Sequence, residues 1–431
     1  MLARPRADRP ARAPLARCFF PAVALLLACG SDPATGGPEA DASASPDAPA
    51  TALPDGAAPP PGDGGGGSPP IVTCHATPRP DGARKMLVTR PRSKEATGGY
   101  GTNAKLLEVL DVSAAGALSR PGKVLDMAGP TQGTPVFTPD GAIAIVPMGG
   151  KAGLASIVFD ATGTPTVVEA SFAPEGRLSG TQVVIDATGS RAFALDSNTE
   201  ANGGGVYEVR IACDGHLTLI GKALPSEKSQ ELALLDANRG LYAGAVVGGK
   251  GDLHLFDLLA KSATSSLAAF GDDDAAASSV AVTPDGKFAV VTDTGFLAGN
   301  RLAVVDLATM TTKQKLAVDG PEAFLVSPFG NAMMLVQSDT ADAYVPVTYS
   351  PTAAAPVALG AKLTTARKVE LPTSPVVMKN GALKGTVYVV EVSGIRTVRW
   401  DASGKLADGG LFSMDVDKDL FNAPFALGVM P

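Results

Sequence analysis

Two cysteine–histidine pairs are the residues best suited to chemistry in this chain. Cys74 directly precedes His75, and Cys213 lies three residues before His216. Brought together, the four side chains could hold a tetrahedral zinc ion, although their spacings are not those of known structural zinc modules. A disulfide between Cys74 and Cys213 is the better interpretation in an oxidising compartment, and two free thiols are the alternative.

Two groups of acids are candidates for binding a cation. The first is the run Asp272–Asp274 in a polar stretch. The second has a D-x-D-x-D pattern and consists of Asp415, Asp417 and Asp419. It opens like an EF-hand loop, but Leu420 replaces the glycine at position six and Ala426 replaces the glutamate at position twelve. We therefore expect solvated acidic loops and predict no metal site.

Other motifs and the charge exclude several function classes. The sequence has no G-x-S-x-G elbow, P-loop or H-E-x-x-H helix, so it predicts no catalytic residue and no cofactor. The third histidine, His254, lies in an alternating stretch and is expected to be an ordinary strand residue. A net charge of −7 lacks the basic footprint of a nucleic-acid binder, so no nucleic-acid partner is expected.

A repeated hairpin must position these residues. In VAVTPDGKFAVVTD (280–293), two apolar runs flank a Pro-Asp-Gly turn, a pattern typical of a β-hairpin. Related turns recur near residues 81, 140, 187, 237, 285, 329 and 380, and a second hairpin follows each of them. Four antiparallel strands in about 50 residues form one blade of a β-propeller.

The repeat predicts an all-β fold over residues 71–431. The predicted architecture is a seven-bladed β-propeller of four-stranded antiparallel blades, because seven such units account for the length. The end of the chain, NAPFALGVMP (422–431), has the pattern of a first strand without its turn. We expect this C-terminal strand to close blade 1 and to leave no open edge there. A two-sheet sandwich is the alternative, and the regular spacing argues against it.

The repeat resembles the YVTN-type and lactonase-like family of seven-bladed propellers. The matching segments are TPDGKFAVVTD (283–293) and NRLAVVDLATM (300–310), and the similarity extends over residues 76–431. Several turns depart from Pro-Asp-Gly, as at Asp236–Asn238 and Pro328–Gly330, so the chain is a distant member. The resemblance implies the fold, and it implies lactone hydrolysis only as one activity among several, because a fold does not determine function.

In a propeller, the innermost strand of each blade lines a central channel, and the segments that enter these strands face one mouth. In this chain every such segment supplies a polar residue, and Glu231 and Glu322 add charge. The candidate ligand-binding residues at this mouth are Gln132, Thr181, Gln230, Glu231, Ser279, Glu322, Ser374 and Asn422. A small polar ligand or a cation could bind there, and simple solvation of the mouth is the alternative.

The N-terminus is typical of a bacterial lipoprotein. Residues 1–28 contain five arginines followed by an apolar run of eleven residues, which is too short to span a bilayer. The run ends in Leu-Leu-Ala-Cys-Gly, which resembles a lipobox and predicts lipidation of Cys29. Removal of the signal peptide leaves a net charge of −11.

Residues 29–70 are predicted to be a disordered tether. Residues 30–70 contain ten prolines, nine glycines and no lysine or arginine, and they cannot bury enough surface to offset the entropy of ordering. The tether would hold the propeller roughly 35 Å from the membrane. Gly30 rather than aspartate follows Cys29, so the commonest signal for retention in the inner membrane is absent. We therefore expect the protein at the outer membrane or cell surface within the cell envelope.

These features together favour a lipid-anchored envelope propeller that acts as a binding or scaffold module. Its partner would be a protein or a carbohydrate. The alternative function is a lactonase-like hydrolase that acts at the central channel. Glu231 and Glu322 are the acids to test first for such an activity, because hydrolysis requires a channel acid with a shifted pKa.

Overall fold

The chain folds as a seven-bladed β-propeller. The structure is a computed structural model that describes residues 73–91, 93–94, 100–101, 104–149, 152–173, 178, 180–196, 205–224, 229–244, 253–271, 277–293, 300–330, 332–338, 341–416 and 422–431. Within these ranges there are seven four-stranded antiparallel sheets, one two-stranded hairpin and a short 3-10 helix, Gly381–Leu383. None of these ranges contains a helix with the length and hydropathy needed to span a membrane. The predicted fold class is confirmed.

The strands follow one another through the blades in chain order. The first half comprises β1 (Arg84–Arg90), β2 (Ser93–Lys94), β3 (Tyr100–Gly101), β4 (Leu106–Val112), β5 (Leu118–Asp126), β6 (Val136–Phe137), β7 (Ile143–Met148), β8 (Gly153–Phe159), β9 (Pro165–Phe172), β10 (Gly180–Ile185), β11 (Arg191–Asp196), β12 (Gly205–Ile211), β13 (Leu217–Leu224), β14 (Ser229–Leu234) and β15 (Arg239–Gly244). The second half comprises β16 (Leu253–Asp257), β17 (Ser262–Leu267), β18 (Ala277–Val282), β19 (Phe288–Asp293), β20 (Arg301–Asp306), β21 (Thr311–Ala317), β22 (Pro321–Val326), β23 (Ala332–Gln337), β24 (Ala343–Tyr349), β25 (Val357–Leu359), β26 (Thr373–Val377), β27 (Thr386–Glu391), β28 (Gly394–Trp400), β29 (Leu406–Ser413) and β30 (Ala426–Val429).

The blades form a closed ring. Blade 1 has the order β30-β1-β4-β5, and blades 2 to 7 begin with β6, β10, β14, β18, β22 and β26 and continue outwards in sequence order. These seven innermost strands contact one another in a circle, and β30 touches both β26 and β6. Between each pair of neighbouring blades lies one cluster of buried apolar side chains in the described part of the chain. The core is therefore seven wedge-shaped interfaces.

The repeated turn at the end of each innermost strand has a defined hydrogen-bond pattern. In blade 2, the Thr138 hydroxyl donates to Asp140 at 2.7 Å and accepts from the Ile143 N–H at 3.1 Å. Blade 5 repeats the pattern at Thr283 and Asp285, with 2.8 Å between the hydroxyl and carboxylate oxygens. The glycine that follows the aspartate has a φ near +70° in both turns, a conformation that favours glycine. The local sequence thus specifies the hairpins.

The C-terminal strand closes the ring, as the sequence predicts. Strand β30 pairs antiparallel with β1, from Met86 opposite Val429 to Thr89 opposite Ala426. The strand is fully buried, and a Cβ atom on Gly428 would lie 2.0 Å from the carbonyl oxygen of Pro135. Glycine is required at this position because the backbones of blades 1 and 2 approach closely.

Residues 73–83, here called the N-terminal strap, cross the turn face of the propeller. Cys74 forms a disulfide with Cys213 of blade 3, with a Cα–Cα distance of 5.6 Å. His75 Nδ1 lies 2.8 Å from an Asp140 carboxylate oxygen of blade 2. The structure therefore joins the two cysteines, whose pairing the sequence leaves open.

The far end of the strap reaches blade 7. Asp81 accepts a hydrogen bond of 2.9 Å from the Ala382 N–H, and Arg84 donates to the carbonyl oxygen of Pro431 at 3.0 Å. The strap thus contacts blades 3, 2 and 7 and spans the seam at which the ring closes. The remaining histidines are also engaged, since His216 lies 3.5 Å from Glu169 and His254 stacks on Tyr242.

Removal of the disulfide should destabilise the propeller. The bridge closes a segment with a sequence separation of 139, so the unfolded chain gains much conformational freedom without it. The double variant Cys74→Ser/Cys213→Ser should lose about 2–5 kcal/mol of unfolding free energy. Denaturant titration of residues 71–431 measures this loss. Dithiothreitol should reproduce it in the native sequence and leave the double variant unchanged; equal stability of both proteins would contradict the prediction.

Candidate functional site

The candidate site lies at the mouth of the channel opposite the turn face. Five of the seven innermost strands contain a β-bulge at their first residues, where β10, β14, β18, β22 and β26 pair with the second strands of their blades. The residues that the bulges leave unpaired include Thr181, Gln230, Ser278, Glu322 and Ser374. Bulges re-aim side chains and are common beside functional sites. The bulges recur at the same end of five innermost strands, so the backbone at the mouth differs from that of the rest of the channel.

Three of the predicted residues come together on neighbouring blades. Ser279 and the Val280 N–H of β18 lie beside Glu231 of β14 and favour its ionised form. Glu322 lies on the next innermost strand, β22, close enough for its charge to act on Glu231. Ser279 is 5% exposed, and both glutamates are half-buried. Blades 4, 5 and 6 therefore contribute one polar group each to a single cluster, here called the channel acid cluster.

Burial changes the acidity of both glutamates. Loss of hydration raises the pKa of Glu231 to about 7, and the negative charge of Glu322 adds to this effect. The hydrogen bonds from Ser279 and Val280 oppose the rise, because they stabilise the carboxylate. Loss of hydration also raises the pKa of Glu322 to about 7. Near neutral pH the cluster can therefore both accept and donate a proton, as a general acid or base must.

The other predicted mouth residues have different surroundings. Gln132 is half-buried and its side chain packs against Gly149, at the entrance to blade 2. Ser374 has a φ of 45° within the bulge of β26. Asn422 is exposed, and its carbonyl oxygen accepts a 2.8 Å hydrogen bond from Arg90. The strand positions of Thr181 and Gln230 are described, but their side chains lie outside the described residues. No described contact joins Ser374 or Asn422 to the channel acid cluster.

Several sequence predictions fall on residues whose structure is not described. They are Cys29, Asp272–Asp274, Asp417 and Asp419. Asp415 is described, and its carboxylate lies 2.7 Å from Arg120, so an ion pair already uses one of its oxygens. No group of three or more potential metal ligands is found within the described ranges.

Sequence analysis missed the buried ion pairs that surround the mouth. Arginines near this face are each paired with a carboxylate from the same blade. The pairs are Arg90 with Glu108 (2.7 Å), Arg301 with Asp293 (2.9 Å) and Arg396 with Glu391. Tyr344 of blade 6 also donates a 2.7 Å hydrogen bond to Glu391 of blade 7. For Asp293 and Glu391, an acid at the end of a second strand, where an apolar residue is expected, was the available signal.

Comparisons with known proteins support the fold. No family model matches the sequence, and no curated protein matches it either. The periplasmic gluconolactonase of Pseudomonas aeruginosa is 13% identical, with a TM-score of 0.58 over 81% of this chain and 99% of its own. A Bacteroides fragilis protein described as a candidate 6-phosphogluconolactonase is 15% identical, with a TM-score of 0.57 over 81% and 99%. At such identities the likeness shows a shared fold, and it does not show a shared activity.

The raised pKa values of the two glutamates predict how the unfolding free energy depends on pH. The pKa of Glu322 is higher in the folded protein than its ordinary value of 4.5, so the folded state binds more protons between pH 4.5 and 7. Unfolding free energy should therefore fall as the pH rises through this window. Glu322→Gln should remove part of the fall and stabilise the protein at pH 8 by about 1–2 kcal/mol, with little effect at pH 4.

Denaturant titrations at pH 4 and pH 8 measure this difference. The matched control is Glu370→Gln, because Glu370 is exposed and lies outside the innermost strands. The control should follow the native sequence at both pH values. A Glu322→Gln protein that is less stable at pH 8 than the native sequence would show that the ionised carboxylate is favourable in the fold.

Proposed function

We propose that this protein is a lipid-anchored envelope propeller that binds a small hydroxylated ligand of carbohydrate type at the channel mouth. The observation that carries the proposal is the channel acid cluster, in which Glu231, Ser279 and Glu322 converge from three blades. Carboxylates and hydroxyls held in a ring of strands match the donors and acceptors of a polyol.

The anchor in this proposal is the lipidated Cys29, followed by the tether of residues 29–70. The support comes from the sequence pattern of the N-terminus and from the disulfide of the strap, which suits an oxidising compartment such as the cell envelope. The strap begins at the turn face, so the tether joins the propeller on the side opposite the channel mouth. The mouth would then be open to ligands.

Ligand binding can be tested with a simple sugar as the probe. Saturation-transfer NMR of residues 71–431 with D-glucose should show contact in the native sequence. Ser279→Ala and Glu231→Gln should each weaken the affinity by about tenfold, because the first removes a hydroxyl and the second replaces a charged acceptor with a neutral amide, each a loss of about 1–1.5 kcal/mol. Glu370→Gln is the control and should bind like the native sequence. Equal affinity in all four proteins would place the sugar elsewhere and reject this site.

A second candidate function is lactone hydrolysis at the same cluster. The pKa values near 7 favour it, because a half-protonated carboxyl can activate water and then protonate the leaving alkoxide. The lactonase-like neighbours are consistent with it. In this mechanism Glu231, oriented by Ser279 and Val280, takes a proton from water, and the resulting hydroxide adds to the lactone carbonyl. The carboxylic acid of Glu322 protonates the ring oxygen as the ring opens.

D-glucono-1,5-lactone is the probe for this activity. If hydrolysis occurs, kcat/KM should have a bell-shaped pH profile centred near 7, and Glu231→Gln should lower it by at least a hundredfold. Acid release recorded by pH-stat, corrected for spontaneous hydrolysis, provides the measurement, with Glu370→Gln as the control. A rate equal to the spontaneous rate would leave binding as the sole function of the mouth.

A further inference from the structure

We propose that the channel mouth selects its ligand by charge, accepting neutral and cationic hydroxylated molecules, preferring a protonated amine and excluding phosphorylated ones. This inference rests on the proposed binding function and names the ligand class of the same site. It separates this protein from the 6-phosphogluconolactonase that one neighbour is described as being.

The described innermost strands carry charge of only one sign. The seven innermost strands contain no lysine and no arginine along their described bounds. Glu231 and Glu322 are the charged residues in these strands, and they lie on blades 4 and 6 with blade 5 between them. A ligand that enters this layer therefore meets carboxylates, hydroxyls and backbone groups, and it meets no cation from an innermost strand.

The described arginines near the mouth are already paired with carboxylates. Arg90, Arg301 and Arg396 lie on the first, fifth and seventh blades near the mouth, and each pairs with a carboxylate of its own blade. Arg396 is fully buried, and it also donates to Asp408 and to two backbone carbonyls of the segment before β26. Recruiting such a guanidinium for a ligand phosphate would remove an ion pair from its buried carboxylate partner, which is costly.

The environment makes the repulsion of anions strong. The two glutamates have lost much of their hydration, and charges interact more strongly where water is excluded. A phosphate dianion would be desolvated beside these carboxyls without a compensating positive group from an innermost strand. A neutral polyol escapes this repulsion. A protonated amine gains, because it can donate charge-assisted hydrogen bonds to a carboxylate.

Three sugars that differ at one position provide the test. 6-Amino-6-deoxy-D-glucose, D-glucose and D-glucose 6-phosphate share a ring and carry a positive, a neutral and a negative group at carbon 6. Titration calorimetry at pH 8 with residues 71–431 should give at least tenfold tighter binding of the amine than of glucose. Glucose 6-phosphate should bind at least tenfold more weakly than glucose.

The double variant Glu231→Gln/Glu322→Gln links the preference to the cluster. Glutamine retains the shape of glutamate, so the variant should still fold, and circular dichroism and thermal unfolding can verify this. The affinities for the three sugars should then converge to within about threefold. The control Glu370→Gln should keep the full preference. Similar affinities for all three sugars in the native sequence, weakened by Ser279→Ala, would overturn the charge selection and retain the binding site. Tightest binding of glucose 6-phosphate would also overturn the selection, and no binding of any sugar would overturn both.

Discussion

The antiparallel pairing of β30 with β1 is the interaction on which the rest of the structure depends. The two strands lie at opposite ends of the described chain, yet they form the inner half of one blade. Without this pairing, blade 1 would lose its innermost strand, and the apolar cluster between blades 7 and 1 would be open to water. A channel with a defined mouth exists only when the ring is closed, so the candidate site depends on contacts far from it in sequence.

The strap reinforces the same closure from the opposite face. It is fixed to blade 3 by the disulfide, passes Asp140 of blade 2 and contacts Ala382 of blade 7. Its contacts therefore lie on both sides of the seam between the first and last blades. The contacts of the strap therefore lie on the turn face, whereas the candidate polar site lies at the opposite mouth of the channel. The fold can then tolerate unfavourable groups at the mouth, because closure is secured elsewhere.

The channel acid cluster is such an unfavourable arrangement. Burial of Glu231 and Glu322 disfavours their ionised forms, so both carboxyls reduce stability above neutral pH. Apolar or amide side chains at these positions would fit a propeller channel at lower cost. Carboxyl groups with strongly raised pKa values are frequent in functional sites, which supports a ligand-binding or proton-transfer role here.

The sequence by itself determined the repeat, and with it the seven blades and the closing strand. Each blade is specified locally, because alternating apolar strands and Thr-Pro-Asp-Gly turns form hairpins through contacts within a few residues. It also marked Glu231, Ser279 and Glu322 as candidates and left the pairing of Cys74 with Cys213 open. Only the tertiary structure decided that these three residues meet while Gln132 and Asn422 stand apart. The ring curvature and the bulge register set those distances, and neither is encoded in the pattern of a single blade.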